Sequence, residues 1–242
     1  MRTFFYCLTA IQFALAGPAS AADFNKTIKV AAEEGKYTYV MFYRAEDTAT
    51  RQMSSVIGQQ VSKTARNTNW IKVGVTDQSA ADVVKKYDAS RLPMPTVIGV
   101  APNGAVTGVF QMQVNQQQLD NAILTPRYSE MVKKLQEQKI AVVCLQPAGG
   151  NTLPVGIKQL EADTNLKNHV VKVTASADDA KEARFFERMG VKTDIKKPAV
   201  LVFAPPGVFV GRFDENVSGQ QLASAIHKSG QCSCQHCQSK NK

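Results

Sequence analysis

The sequence predicts an α/β protein made of two copies of one unit, each a central mixed β-sheet flanked by helices. The first observation is a repeated phrase. "PTVIGVAPNGAVTGVFQMQVNQQQLDNAI" begins at Pro95, and "PAVLVFAPPGVFVGRFDENVSGQQLASAI" begins 103 residues later at Pro198. They share P-x-V-x3-A-P-x-G-x3-G-x-F-x3-V-x2-Q-Q-L-x2-A-I without a gap, the mark of a duplicated unit. The second observation is order: upstream of each phrase, helical spacing and short apolar runs alternate in the same succession. The third is that both ends of the chain fall outside the repeat. The expected organisation is a leader at 1–21, units at 22–125 and 126–230, and a cysteine-rich tail at 231–242.

Each element follows from its residues. "DFNKTIKVAAEEGK" reads as a helix stopped by Gly35, and "YTYVMFY" as the strand after it. Met53, Val56, Ile57 and Val61 share one face of a second helix. "WIKVGVT" is a strand and "SAADVVKKYD" a helix. The repeated phrase then gives two strands joined by "APNGA", where Gly104 supplies a positive φ, and a helix capped by Asn115 with Leu119 and Ile123 inward. The second unit matches in order. The helix "RYSEMVKKLQEQK" and the strand "IAVVCL" come first, then a helix in "PVGIKQLEADT" with Pro154 suited to its first turn. The strand "HVVKVTA" and the helix "DDAKEARFFERMG" follow. A hairpin turning at "APPGV" with Gly207, and a helix capped by Ser218 with Leu222 and Ile226 inward, close the unit. The boundary falls near Thr125-Pro126, without a long linker, so the two units are expected to pack together.

The leader has a positive Arg2, the apolar run "FFYCLTAIQFALA" and small residues in "GPASAA", with cleavage expected after Ala21. The alternative is a membrane-retained anchor, but the run is short for a span and no stop-transfer flank follows. Cys7 is not in a lipoprotein-type box. The chain is therefore expected to be exported, to a periplasm or the exterior. Removing Arg2 lowers the 29 basic side chains to 28, against 20 acidic, for a net charge near +8. The bases are dispersed, with pairs such as Lys133-Lys134 and Lys196-Lys197 the tightest groups. That suits a solvated surface or attraction to an anionic envelope surface, and no motif points to nucleic acid. "NKT" and "NVS" are glycosylation acceptors only in a eukaryotic host. No cysteine lies between Ala22 and Val143, so the first unit works without sulfur nucleophiles.

The order of elements, with a proline opening the penultimate strand and a Gly-turned hairpin after it, resembles the thioredoxin fold. "GKYTYVMFYRAEDTATRQM" resembles the active-site segment of periplasmic thioredoxin-like domains, which reads roughly G-K-P-V-x-V-x-F-Y-A-x-W-C-x-x-C-K-x-M. The resemblance covers nearly all of the chain beyond the leader. It places Asp47 and Thr50 where the two catalytic cysteines belong, and Glu46 at the tryptophan. Disulfide exchange needs a thiolate of lowered pKa at a helix N-terminus and a second thiol one turn on. A carboxylate and hydroxyls cannot supply it. Asp47 is expected to cap the helix, and a carboxylate held at a helix N-terminus is a weak base, so no catalytic residue is expected here. In the second unit Cys144 lies within a strand and reads as a small buried hydrophobe. The resemblance also implies that Pro95 and Pro198 match the family's cis-proline, and that the preceding Met94 and Lys197 pair their backbone with an extended client peptide. Such strand addition needs no thiol. The alternative is that Pro95 only shapes the core edge.

In "SGQCSCQHCQSKNK", Cys232, Cys234, His236 and Cys237 form a soft-donor set. C-x-C favours Cu(I) over Zn if a metal binds; otherwise the odd number of thiols implies a disulfide, a tether to a partner or no role. His169 and His227 suggest no site. Three functions follow as expectations. The preferred one is an exported, redox-inactive scaffold binding a protein or extended-peptide client. The others are a thiol–disulfide oxidoreductase or isomerase using the C-x-C-x-x-C tail, and a Cu(I)-handling protein.

Overall fold

The structure, a computed structural model, describes residues 21–230. The expected leader, apart from Ala21, and the tail with Cys232, Cys234, His236 and Cys237 lie outside the described residues.

The first unit opens with α1 (Ala21–Glu33). It ends as a Schellman turn: Gly35 has φ +72°, its N–H donates to the Ala32 carbonyl at 3.0 Å, and the Lys36 N–H donates to that of Ala31 at 2.8 Å. Then come β1 (Tyr37–Tyr43), α2 (Thr48–Thr64) and β2 (Thr68–Gly74). A 3-10 turn at Gln78–Ala80 leads into α3 (Ala81–Lys86). The hairpin β3 (Thr96–Val100) and β4 (Val106–Gln111) precedes α4 (Gln116–Asn121). The second unit repeats this as α5 (Pro126–Gln136), β5 (Ile140–Gln146), α6 (Val155–Ala162) and β6 (Val170–Ser176). A 3-10 turn at Ala180–Glu182, α7 (Ala183–Arg188), β7 (Ala199–Ala204), β8 (Val208–Phe213) and α8 (Gly219–Lys228) complete it.

The sheets have strand orders β2-β1-β3-β4 and β6-β5-β7-β8. In each, the first pair is parallel and the other two are antiparallel. The central strands β1 and β5 are buried on both faces, so alternate side chains feed two apolar layers. Val40 and Phe42 pack with Ile28 and Val83 on the α1/α3 side. Tyr39 and Met41 pack with Met53, Ile57 and Leu119 on the α2/α4 side, where the Tyr39 hydroxyl donates to the Leu119 carbonyl at 2.7 Å. In the second sheet Val142 and Cys144 face Ile157, Leu160, Leu222 and Ile226, while Val143 and Leu145 face Phe185 and Phe186.

Asn115 and Ser218 both form reciprocal capping boxes, with Gln118 and Gln221 respectively. Two expectations need correction. Pro154 is the N-cap of α6 rather than a residue of its first turn, because its ψ of 138° is extended. The helices expected at "SAADVVKKYD" and "DDAKEARFFERMG" begin as 3-10 turns, where Asp77 and Asp179 accept from the N–H two residues on. Both hairpin glycines take the expected positive φ, +80° at Gly104 and +142° at Gly207, and "APPGV" also carries a cis Pro205–Pro206 bond.

The units pack against each other. The Gln136 side-chain amide accepts from the Val106 N–H at 3.0 Å and donates to its carbonyl at 2.6 Å, so one helix side chain stands in for a strand partner on β4. Arg188 donates to the Asn121 carbonyl at 2.9 Å. Between these contacts Tyr37, Ala101 and Ala105 pack with Ile123, Leu124 and Val132.

Candidate functional site

At the C-terminal end of β1 the chain turns into α2. Asp47 is extended at φ −79°, ψ −177°, and its carboxylate accepts from the Thr50 N–H at 2.8 Å. This backbone hydrogen bond, then one from the Thr50 side chain, holds the carboxyl below its ordinary 3.8. Thr50 is buried. Glu46, at the tryptophan position, pairs with Lys72 at 2.6 Å, and the Lys72 ammonium lies 4.7 Å from the centre of the Tyr43 ring. The Arg51 guanidinium donates to the Glu46 carbonyl at 2.5 Å. A fully ionised cap is a poor base, and hydroxyls without a base beside them are poor nucleophiles. The turn has the shape of a helix-start reaction centre and the chemistry of a cap.

Thr96 pairs with Phe42, so Pro95 lies one step beyond, level with the end of β1 where that turn begins. The Met94–Pro95 peptide is cis. The Pro95 carbonyl accepts from the Met112 N–H at 2.7 Å, and the Thr96 hydroxyl donates to the Pro93 carbonyl. Among the described residues, no loop or turn backbone bond uses the N–H or C=O of Met94. Its side chain packs half-buried on the α1/α3 layer. Met112, 53% exposed, takes a left-handed φ of +65° on the other side of Pro95.

The second unit keeps the proline at the same level but differs around it. Leu145 pairs with Ala199, which sets Pro198 level with Gln146. The expectation of a cis bond here is corrected: the cis bonds among the described residues are those before Pro95 and Pro206. Trans is the default for X–Pro. Lys197 forms a 2.5 Å ion pair with Glu215, the counterpart of Met112 at the repeat spacing. That hydrogen bond raises the lysine pKa and lowers that of the carboxyl. At the same spacing Asp47 and Thr50 become Gly150 and Leu153. Cys144 is fully buried, and desolvation pushes its thiol up to about 11 against the weaker opposing pull of Lys172 and a Gln146 contact at 3.4 Å. It is neither a thiolate nor reachable.

The sequence-expected residues therefore gather at the C-terminal ends of the two central strands: Asp47, Thr50, Met94 and Pro95 in one sheet, Lys197 and Pro198 in the other. Sequence reasoning missed Met112, although laying the two phrases together sets it against Glu215. It also missed Gln146 and Glu182, buried polar residues that carry no motif. Among the described residues no group of three or more His, Cys, Asp or Glu could hold a metal. No described helix is long and apolar enough to cross a membrane.

No family model matches the chain, and no curated protein matches it. Solved structures do. Thioredoxin O2 from Arabidopsis thaliana, in its oxidized state, is 21% identical over 42% of this chain and 84% of that one, with a TM-score of 0.35. The first two thioredoxin domains of Saccharomyces cerevisiae Eps1p are 11% identical over 84% and 92%, TM-score 0.35. Zinc-bound human ERp44 is 12% identical over 86% and 56%, TM-score 0.37. The chain's own strand order, its parallel-then-antiparallel pairing and its closing hairpin and helix, present twice, define a tandem thioredoxin-like fold.

Proposed function

We propose that this is an exported, redox-inactive tandem thioredoxin-like protein that holds an extended segment of a client protein along Met94–Pro95 of its first unit. One observation carries the reading: the turn where disulfide chemistry would sit is an ionised cap, while the main-chain groups of Met94 beside it make no backbone bond among the described residues. Strand addition uses just such groups, and selectivity then comes from neighbouring side chains. Met94 and Met112 supply a soft, adaptable apolar edge. In the second unit the Lys197–Glu215 ion pair occupies the corresponding places, so the first unit is the better client site.

The tail belongs to the same reading as an appendage, with Cys232, Cys234, His236 and Cys237 as soft ligands suited to Cu(I) before Zn. Reduced protein should bind Cu(I) with a stoichiometry that collapses when 231–242 are removed. A tail that instead reduces or isomerises a model disulfide returns the protein to the oxidoreductase class.

Reduced, carboxymethylated ribonuclease serves as an extended client without thiols. The chain from Ala22 onward should bind it, and Met94→Lys combined with Met112→Glu, which installs the second unit's ion pair, should weaken binding at least fivefold. Unchanged affinity in that double variant, or no binding by the parent, rejects the client site.

A further inference from the structure

The second unit holds a cavity of about 440 Å³ above the ends of β5 and β6, walled on one side by Gly150 and Leu153, the counterparts of Asp47 and Thr50. Ligands of open α/β sheets settle in crevices at the carboxyl ends of the strands, and the size suits a small molecule. Two of its lining residues are buried polar side chains with an acceptor left over. Glu182 is 1% exposed; one carboxylate oxygen accepts from the Arg127 N–H at 2.9 Å, and Oε2 has no partner. Gln146 is 2% exposed; its amide nitrogen donates to the Thr152 carbonyl at 3.1 Å, and Oε1 has no partner. Buried acceptors are normally satisfied, and each exception calls for a cause.

Both orphans are acceptors, so the missing group is a donor, and the carboxylate among them favours a positive one. The cavity's two cations lie further out, with the exposed Asp179 near Arg127. The side chain of Lys172 is 30% exposed and pairs with Glu161 at 2.8 Å; that of Arg127 is 52% exposed and pairs with Glu130 at 2.8 Å. Each ion pair leaves N–H donors to spare. Unpaired acceptors thus lie deep, and the two cations share the rim with Asp179.

We propose that this cavity binds a small zwitterion, a free amino acid, with its ammonium directed to Glu182 and Gln146 and its carboxylate to Lys172 and Arg127. Binding is non-covalent and independent of the client edge in the first unit.

L-alanine is the probe, with propylammonium and propanoate as single-charge controls, titrated into the isotopically labelled chain from Ala22 onward. Expected are saturable shifts of the Gln146, Ser176 and Glu182 amide signals with L-alanine, and at least tenfold weaker binding in Glu182→Gln, whose side-chain oxygen can still accept from Arg127. Lys172→Ala should also weaken L-alanine and leave propylammonium unchanged, which keeps the test informative if the Glu182 variant does not fold. No saturable shift with L-alanine, a response to propanoate as strong as that to L-alanine, or a crystal grown in L-alanine with only water on the two orphan oxygens overturns the proposal.

Discussion

Asp47 joins β1 to α2 as the helix cap. The helix start that would lower the pKa of a thiol lowers that of a carboxyl instead, through the Thr50 N–H first and the Thr50 side chain next. A carboxyl depressed in the folded state stabilises it above the ordinary value, and that contribution is lost as pH falls through the folded pKa. The urea midpoint of the parent should therefore drop more steeply below pH 3.8 than that of Asp47→Asn, which keeps the cap without the titration. Parallel curves would show that the cap is not coupled to protonation. Asp47 was legible as a cap because its place before an apolar helical stripe says so. Met112 was not, since a left-handed methionine carries no sequence signal of its own.

At the scale of elements, the pairing of helices separates the two units. Met53 of α2 fills the space beneath α4, whereas its counterpart in α6 is Gly156. A Cβ on Gly156 would lie 2.2 Å from the Val217 carbonyl, and one on Gly219 of α8 would lie 2.6 Å from the Gln159 Cβ. The second unit thus replaces side-chain packing by close backbone approach. Gly156→Ala must push α6 from the start of α8 and should cost about 1–3 kcal/mol, as overpacking a filled core does. A change in the denaturation free energy below about 0.5 kcal/mol would mean the seam is slack. Strands were the most legible elements: "YTYVMFY" is β1 from first residue to last. The 3-10 starts before α3 and α7 were not, because aspartate caps and helix-period residues read alike for both helix types.

For the whole molecule, duplication made the architecture readable. The bond isomer at Pro198 was misread because the repeat keeps the proline, and a retained proline does not fix its isomer. The joint between the units is not self-complementary. The residues of the joint have counterparts that do not complement: Val132 becomes Lys29, Gln136 becomes Glu33, and the Asp120–Arg184 pair becomes Ala223 and Ala81. Gln136→Ala removes both hydrogen bonds to Val106 and should cost about 1–2 kcal/mol, with faster amide exchange at the start of β4. Unaltered exchange there would show that the apolar contact alone holds the joint.

Thiol labelling in the folded state tests most directly whether sulfur chemistry has left both bodies. With Cys232, Cys234 and Cys237 changed to serine, the chain from Ala22 onward keeps Cys144 alone. It should take up no alkylating agent at pH 8 until denatured, and it should not reduce a small disulfide. Labelling of the folded protein at Cys144, or turnover of the disulfide, would contradict the account.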